Sequence, residues 1–353
     1  MNSIKKTTMN PLDQALDARQ TMSGLIFAAM ALRNKNTIPV KTIPLTILGG
    51  FLGAGKTTML NHILQNPGGR KITVLVNDFG KINIDATMVE SQTDDMISLT
   101  NGCACCAVSS DLTKTLIDIS EKEEQPDAII LECSGVAEPG SIAQIVLSNK
   151  AIRLDGIITL VDAETFFERL EDESSQQLFI NQLTSADIIS IGKTDLVSEE
   201  EKQKINQWIA KHQPNKAVLE TVEGDVPTDV ILGVEADHDL EDEKAKAIKK
   251  TNHKHTFESV SFSFDQPFKE EKINAFIKNL PAHIIRAKGI LQIDSDLDKK
   301  MIYQRVSKRW SLKSDEQWGN EKPISQLVFI ANKGTLDKEQ LEKSLRACLK
   351  HIF

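Results

Sequence analysis

The sequence predicts an α/β chain: a doubly wound parallel sheet followed by a smaller α+β module. Three observations carry that expectation. Short apolar, often β-branched runs recur at 45–48, 71–76, 96–99, 127–131, 156–162 and 187–191, with helical stretches between them. Continuous rather than alternating apolarity marks strands buried on both faces, the habit of parallel sheets whose crossovers are helices. Acids and lysines then alternate from 237 to 250, and beyond them Phe257, Val260, Phe262 and Phe264 follow the alternation of a sheet covered on one face.

With 353 residues the chain has room for two domains. The expected division is an extension at 1–43, a nucleotide domain at 44–222, a charged linker at 223–252 and an α+β domain at 253–353. A net charge of −8 argues against nucleic acid or an anionic membrane as main partner. The apolar run Ser23–Leu32 is too short to span a bilayer. Asp13 and Asp17 interrupt a secretory-signal reading, and a cytoplasmic location is expected from the need for nucleotide.

The first strand ends in Gly49-Gly50 and runs into Phe51-Leu52-Gly53-Ala54-Gly55-Lys56-Thr57-Thr58, with a helical pattern following. Gly50, four residues, then Gly55-Lys56-Thr57 is the spacing of a phosphate loop. Its glycines let backbone N–H groups converge on phosphate oxygens, its lysine neutralises the β and γ charge, and its hydroxyl serves Mg²⁺. Gly50, Gly53, Ala54, Gly55, Lys56, Thr57 and Thr58 are therefore the expected phosphate-binding residues of a P-loop NTPase. The strand at 71–76 leads into Asn77-Asp78-Phe79-Gly80-Lys81, where a switch loop would meet the γ-phosphate. Asp78 is a candidate metal contact there. Met96–Leu99 reads as the third strand, and Ser109-Ser110-Asp111 as the cap of a helix running to Ile119.

The strand at 127–131 closes on Glu132-Cys133-Ser134-Gly135. An apolar strand ending in an acid is the Walker B pattern, which assigns Glu132 to Mg²⁺ beside Thr57 and places the Gly135 N–H where it can sense the γ-phosphate. The strand at 187–191 leads into Gly192-Lys193-Thr194-Asp195. Guanine-reading loops carry Asn-Lys-x-Asp at this point, with the aspartate accepting from the base and the lysine over its ring. Lys193 and Asp195 are present and favour GTP. Glycine replaces the asparagine, which should weaken affinity or fidelity. In the second module, 269–280 and 338–349 read as helices, and 284–291, 301–312 and 326–330 as strands.

Cys103, Cys105 and Cys106 lie within four residues in the nucleotide domain. Three readings are open: metal ligands, a redox pair, or buried thiols. Three thiols in one glycine-flanked turn are poor core material, and a vicinal pair is awkward for a disulfide, so metal is favoured. Cys133 and Cys348 read as buried thiols.

The segments GGFLGAGKTT, NDFGKINID, NGCACC, ECSGVAEP and RAKGIL together resemble the CobW-like family of metal-handling P-loop GTPases, relatives of the GTPases that insert nickel into urease and hydrogenase. The resemblance runs from residue 44 to the C-terminus. It implies GTP hydrolysis coupled to delivery of a transition metal, commonly zinc, to a client metalloprotein, with Cys103, Cys105 and Cys106 as ligands and Lys56, Glu132 and Gly135 in the hydrolytic machinery. The implied cofactors are GTP, Mg²⁺ and Zn²⁺, and self-association is left open. Three departures stand out: Gly192 for asparagine, Asp78 where the family usually has glutamate, and no histidine-rich tract. Val136, after Gly135, cannot orient water as a glutamine would, so slow intrinsic hydrolysis is expected. Rival readings are assembly of cobalt or iron centres, a phosphotransferase, and a purely structural zinc.

Overall fold

The apolar runs form a seven-stranded sheet in which every neighbouring pair is parallel. The computed structural model describes residues 42–77, 96–99, 105–214, 216–232, 257–281, 283–319 and 322–350, with backbone alone at 77, 96–99, 105–110 and 316. The strands are β1 (Ile43–Gly50), β2 (Ile72–Asn77), β3 (Met96–Leu99), β4 (Ala128–Cys133), β5 (Ile152–Asp162), β6 (Ile188–Gly192) and β7 (Ala217–Glu220), in spatial order β3-β2-β4-β1-β5-β6-β7. The chain winds from β1 outward to β2 and β3, returns to β4 and crosses to β5. Strand order thus reverses around β1, and such a switch point opens a ligand crevice at the carboxyl ends of the strands.

Period-two side-chain direction sorts the strand residues onto two faces. Leu48, Val74, Val76, Ile130, Ile158 and Leu160 pack under α1 (Lys56–Gln65), whose Met59, Leu60 and Ile63 are fully buried. Leu45, Ile47, Leu75, Ile129 and Leu131 pack under α2 (Cys105–Ser120) and α3 (Pro139–Ser148). Val161, Ile189 and Ile191 lie with Phe166 of α4 (Phe166–Glu171), α5 (Gln176–Ser185) and α6 (Glu199–His212). Each such side chain contributes about 1.5–3 kcal/mol by leaving water. Truncating Ile47 to alanine would cost about 2–5 kcal/mol once the cavity is counted.

The second sheet is five-stranded and antiparallel, in order β11-β10-β9-β12-β8. It comprises β8 (Phe257–Phe264), β9 (Ile284–Ile293), β10 (Asp296–Val306), β11 (Arg309–Gln317) and β12 (Ser325–Asn332), with α8 (Glu270–Asn279) and α9 (Lys338–Arg346). Phe262, Phe264, Phe268 and Phe329 meet Ile273, Ile277 and Leu345 in its core. Cys348 is buried there as expected and donates to the Ser344 carbonyl.

The joint between the sheets is buried: Ile285, Val306 and Ile330 share a core with the first sheet, and ion pairs and hydrogen bonds lie beside them. Arg286 on β9 pairs with Asp155 on β5, and its Nη1 donates to the Ile231 carbonyl at 2.7 Å. Arg153 reaches the other Asp155 oxygen at 2.8 Å. Ala217 N–H donates to Ser307 Oγ at 3.1 Å, and Arg309 Nε to Asp187 at 3.0 Å. Burial would raise the Asp155 pKa, but Arg286 and Arg153 overrule it and hold the carboxyl well below its usual range. The segment RAKGIL is thus, through Arg286, part of the joint.

Three expectations are corrected. Helix α2 starts at Cys105, ahead of the Ser109-Ser110-Asp111 cap, because Cys105–Val108 carry nothing that breaks a helix. The single strand expected at 301–312 is two, turned at Ser307-Lys308 with Ser307 in the left-handed region at φ 52°. The first part of the stretch read as linker is core: Val226, Val230, Ile231 and Leu232 are buried, the last three on α7 (Thr228–Leu232). Acids at 223, 225 and 229 hide this cluster from a composition window, and one of them, Asp229, is paired with Arg70 at 2.7 Å.

Candidate nucleotide site at the carboxyl edge of the sheet

Strand β1 delivers the glycine-rich loop to the switch point. At Gly50 φ is 135°, and a Cβ would stand 2.3 Å from the Leu160 carbonyl oxygen, so only glycine lets β1 turn this tightly against β5. Gly53 and Gly55 take left-handed φ values of 79° and 93° and face open space. Ala54 is buried, and its N–H closes the loop on the Phe51 carbonyl at 3.2 Å. Gly55 is the N-cap of α1, so Lys56, Thr57 and Thr58 form the helix's first turn with N–H groups that its own ladder does not use. Lys56 lies back across the loop, its Nζ donating to Phe51 O at 3.2 Å.

Thr57 Oγ1 donates to Glu132 Oε1 at 3.0 Å. The two residues are 75 positions apart in sequence and are brought together by β1 and β4 lying side by side. Glu132 is buried at the strand's end. A hydroxyl and a carboxylate so close, beside a nest of N–H groups and an ammonium, are hard-oxygen donors that fit Mg²⁺ with a nucleotide triphosphate.

After β4 the chain makes the turn Ser134-Gly135-Val136-Ala137, closed by Ala137 N–H on the Ser134 carbonyl at 2.9 Å. Gly135 packs directly on the phosphate loop, where a Cβ would sit 2.6 Å from Leu52 N. Gln182 of α5, missed by sequence reasoning, holds this turn by donating to Gly135 O at 3.1 Å and Ala137 O at 2.9 Å. Its signal was a polar residue on the buried stripe with Phe179 and Leu183. Cys133 is fully enclosed, and burial pushes its thiol up to about 12, so it is no thiolate at neutral pH.

At the opposite end of the crevice β6 closes on Gly192. Lys193 takes a left-handed φ of 58°, and its Nζ pairs with Asp162 at 2.6 Å. Asp195 is exposed. Thr194 Oγ1 donates to Thr221 O at 3.3 Å, tying this loop to the one after β7, which carries left-handed Glu223 and Gly224 and the exposed Val222. The 221–224 loop is a second wall at this end of the crevice that sequence reasoning missed, because β7 was not anticipated. A Cβ on Gly192 would lie 3.4 Å from the Ala54 carbonyl of the phosphate loop, an ordinary contact.

Of the cysteine motif, only the flanks and the backbone of Cys105 and Cys106 are described. Strand β3 ends at Leu99 on the edge where the phosphate loop and Glu132 emerge, and α2 opens at Cys105. Cys105 and Cys106 form its first turn. Cys103, Asp78, loop residues 78–85, the extension at 1–41 and the linker at 233–252 lie outside the described residues. Among the described residues no three His, Cys, Asp or Glu side chains gather as a metal site, and no helix is long and apolar enough to cross a membrane.

Two family models match the chain: the CobW/HypB/UreG nucleotide-binding domain over residues 44–220, and the cobalamin synthesis protein cobW C-terminal domain over 257–349. Zinc chaperone YjiA of Escherichia coli is 32% identical over 303 residues, covering 82% of this chain and 93% of that protein. Zinc chaperone CobW of a Sinorhizobium species is 30% identical over 329 residues, covering 82% and 92%. The crystal structure of Zn(II)-bound YjiA GTPase from E. coli aligns over 88% of this chain and 99% of that one, at 27% identity and a TM-score of 0.41.

Proposed function

We propose that this chain, which belongs to the CobW/HypB/UreG family of P-loop GTPases, is a metallochaperone that carries zinc on Cys103, Cys105 and Cys106 and releases it to a client protein according to nucleotide state. The observation that carries this reading is the shared sheet edge. The phosphate loop, the Thr57–Glu132 pair and the start of α2 at Cys105 all belong to the carboxyl ends of parallel strands. The names of the relatives, zinc chaperones in two bacteria, supply the cargo.

The roles follow from the chemistry. The loop N–H groups from Gly53 to Thr58 bind the phosphates, and Lys56 leaves Phe51 O to neutralise the β and γ oxygens. Thr57 and Glu132 hold Mg²⁺, which when bound neutralises charge developing on the transferred phosphoryl group. The turn at 134–137 meets the γ-phosphate through its backbone. Val136 has no group to orient water, so hydrolysis by the chain alone stays below roughly 1 s⁻¹. Asp195 accepts from guanine, and Lys193 covers the ring.

Thiolates suit zinc, with a fourth ligand from a residue or the client completing the tetrahedron. Zinc bound next to a segment that reports the γ-phosphate has different affinities in the GTP and GDP states, and the coupling is reciprocal. The second domain docks the client.

Zinc stoichiometry of the intact chain tests the ligand assignment. The wild type should bind one zinc tightly and Cys103→Ser/Cys105→Ser/Cys106→Ser none, with both proteins folded by circular dichroism. Full zinc occupancy of the triple variant would place the cargo elsewhere.

A further inference from the structure

We infer that Gln182 is a positioning residue for GTP hydrolysis, holding the turn after Glu132 in the attitude that offers its backbone N–H groups to the γ-phosphate. This rests on the reading of 134–137 as the turn that meets that phosphate.

Gln182 is completely buried between α5 and the sheet. Its side-chain nitrogen serves two carbonyl acceptors, Gly135 O and Ala137 O. Only the –NH₂ end of an amide can do so, which settles which way the group faces. Its Oε1 has no hydrogen-bond partner among the described residues. A buried amide that leaves its acceptor unsatisfied while spending both donors on one turn is a costly arrangement for packing alone.

The helix that bears it is pinned from two sides. Thr159 Oγ1, on β5 opposite Gly49, donates to the Gln182 carbonyl at 3.1 Å. The neighbouring Asn181 donates to Glu138, the N-cap of α3, at 2.7 Å. The clamp therefore refers the turn to the strand beside the phosphate loop.

Peptide planarity turns this into a statement about the ligand. The carbonyl of Gly135 and the N–H of Val136 belong to one peptide unit and point in opposite directions. Fixing Gly135 O on Gln182 turns the Val136 N–H away from α5, while Gly135 itself rests on Leu52 of the phosphate loop. GDP has no γ-phosphate to meet this turn, so the clamp should matter for GTP alone.

The experiment compares Gln182→Met, which keeps the volume and removes the donors, with wild type and Val136→Pro. The readouts are kcat for GTP, Kd for GDP and for a non-hydrolysable GTP analogue, and Tm. Gln182→Met should lower kcat at least tenfold while Kd for GDP stays within twofold. Gln182→Glu, a carboxylate against two carbonyls, should be as slow near pH 8 and recover relative to wild type as acid restores one donor. The inference is overturned if Gln182→Met leaves kcat within twofold or weakens GTP and GDP alike. In that event Val136→Pro, which removes that N–H at an exposed position, decides whether the turn's role falls too: a GTP-selective loss keeps it, an equal loss for both nucleotides removes it.

Discussion

Two buried carboxylates flank β1 in the same sheet, and their surroundings separate function from architecture. Glu132 closes β4 and receives the hydroxyl of Thr57, a residue of the phosphate loop. Asp155 lies nearer the start of β5 and is gripped by Arg153 from its own strand and Arg286 from the second domain. One acid sits beside the phosphate loop, where nucleotide is proposed to bind; the other meets guanidiniums inside the protein. A buried carboxylate with two guanidiniums is a joint. One beside a hydroxyl, an ammonium and a nest of N–H groups is a site.

The largest effect should come from breaking the joint. Asp155→Asn leaves Arg286 as an uncompensated buried charge and should cost about 3–5 kcal/mol of stability, with GTP affinity within twofold in the folded protein. Denaturant unfolding and nucleotide titration check this. Replacing both partners, as Asp155→Leu/Arg286→Leu, should recover only part of the loss, because Arg153 still lacks its carboxylate. Acid should mimic the single variant: the Asp155 pKa is depressed in the folded state, so its contribution is complete well above 3.8 and is lost as pH falls below that ordinary value.

Glu132→Gln should do the reverse. Hydrolysis should fall about 10²–10³-fold, the scale for losing one preorganised group at the transition state, with Tm close to wild type. If Tm collapses and kcat survives, the contrast between the two acids is wrong. The smallest effect tests the base end. Gly192→Asn has room for its Cβ and brings a donor near Ala54 O, so GTP should bind about fivefold tighter, worth about 1 kcal/mol. No change would show that this glycine is not what limits affinity.

Most of the strand framework was legible because strands buried on both faces announce themselves by composition alone. The positions of the glycine-rich loop, Glu132 and Gly135 at strand ends were legible because short spacing ties each to an apolar run. What escaped was tertiary. Gln182 meets Gly135 across 47 positions and Arg286 meets Asp155 across 131, and nothing local marks either pair. Strand β7 has four residues and α7 five, too few for a period to show. The hairpin at Ser307 lacks the Asn-Gly or Asp-Gly that would have signalled it.

Nucleotide and zinc should report on each other. The direct measurement is zinc affinity by chelator competition on the full chain, without nucleotide, with GDP-Mg²⁺ and with a non-hydrolysable GTP analogue. Zinc affinity should differ at least tenfold between the two nucleotide states, about 1.4 kcal/mol of coupling. Equal zinc affinity in all three conditions would contradict it and leave the cysteines a structural role.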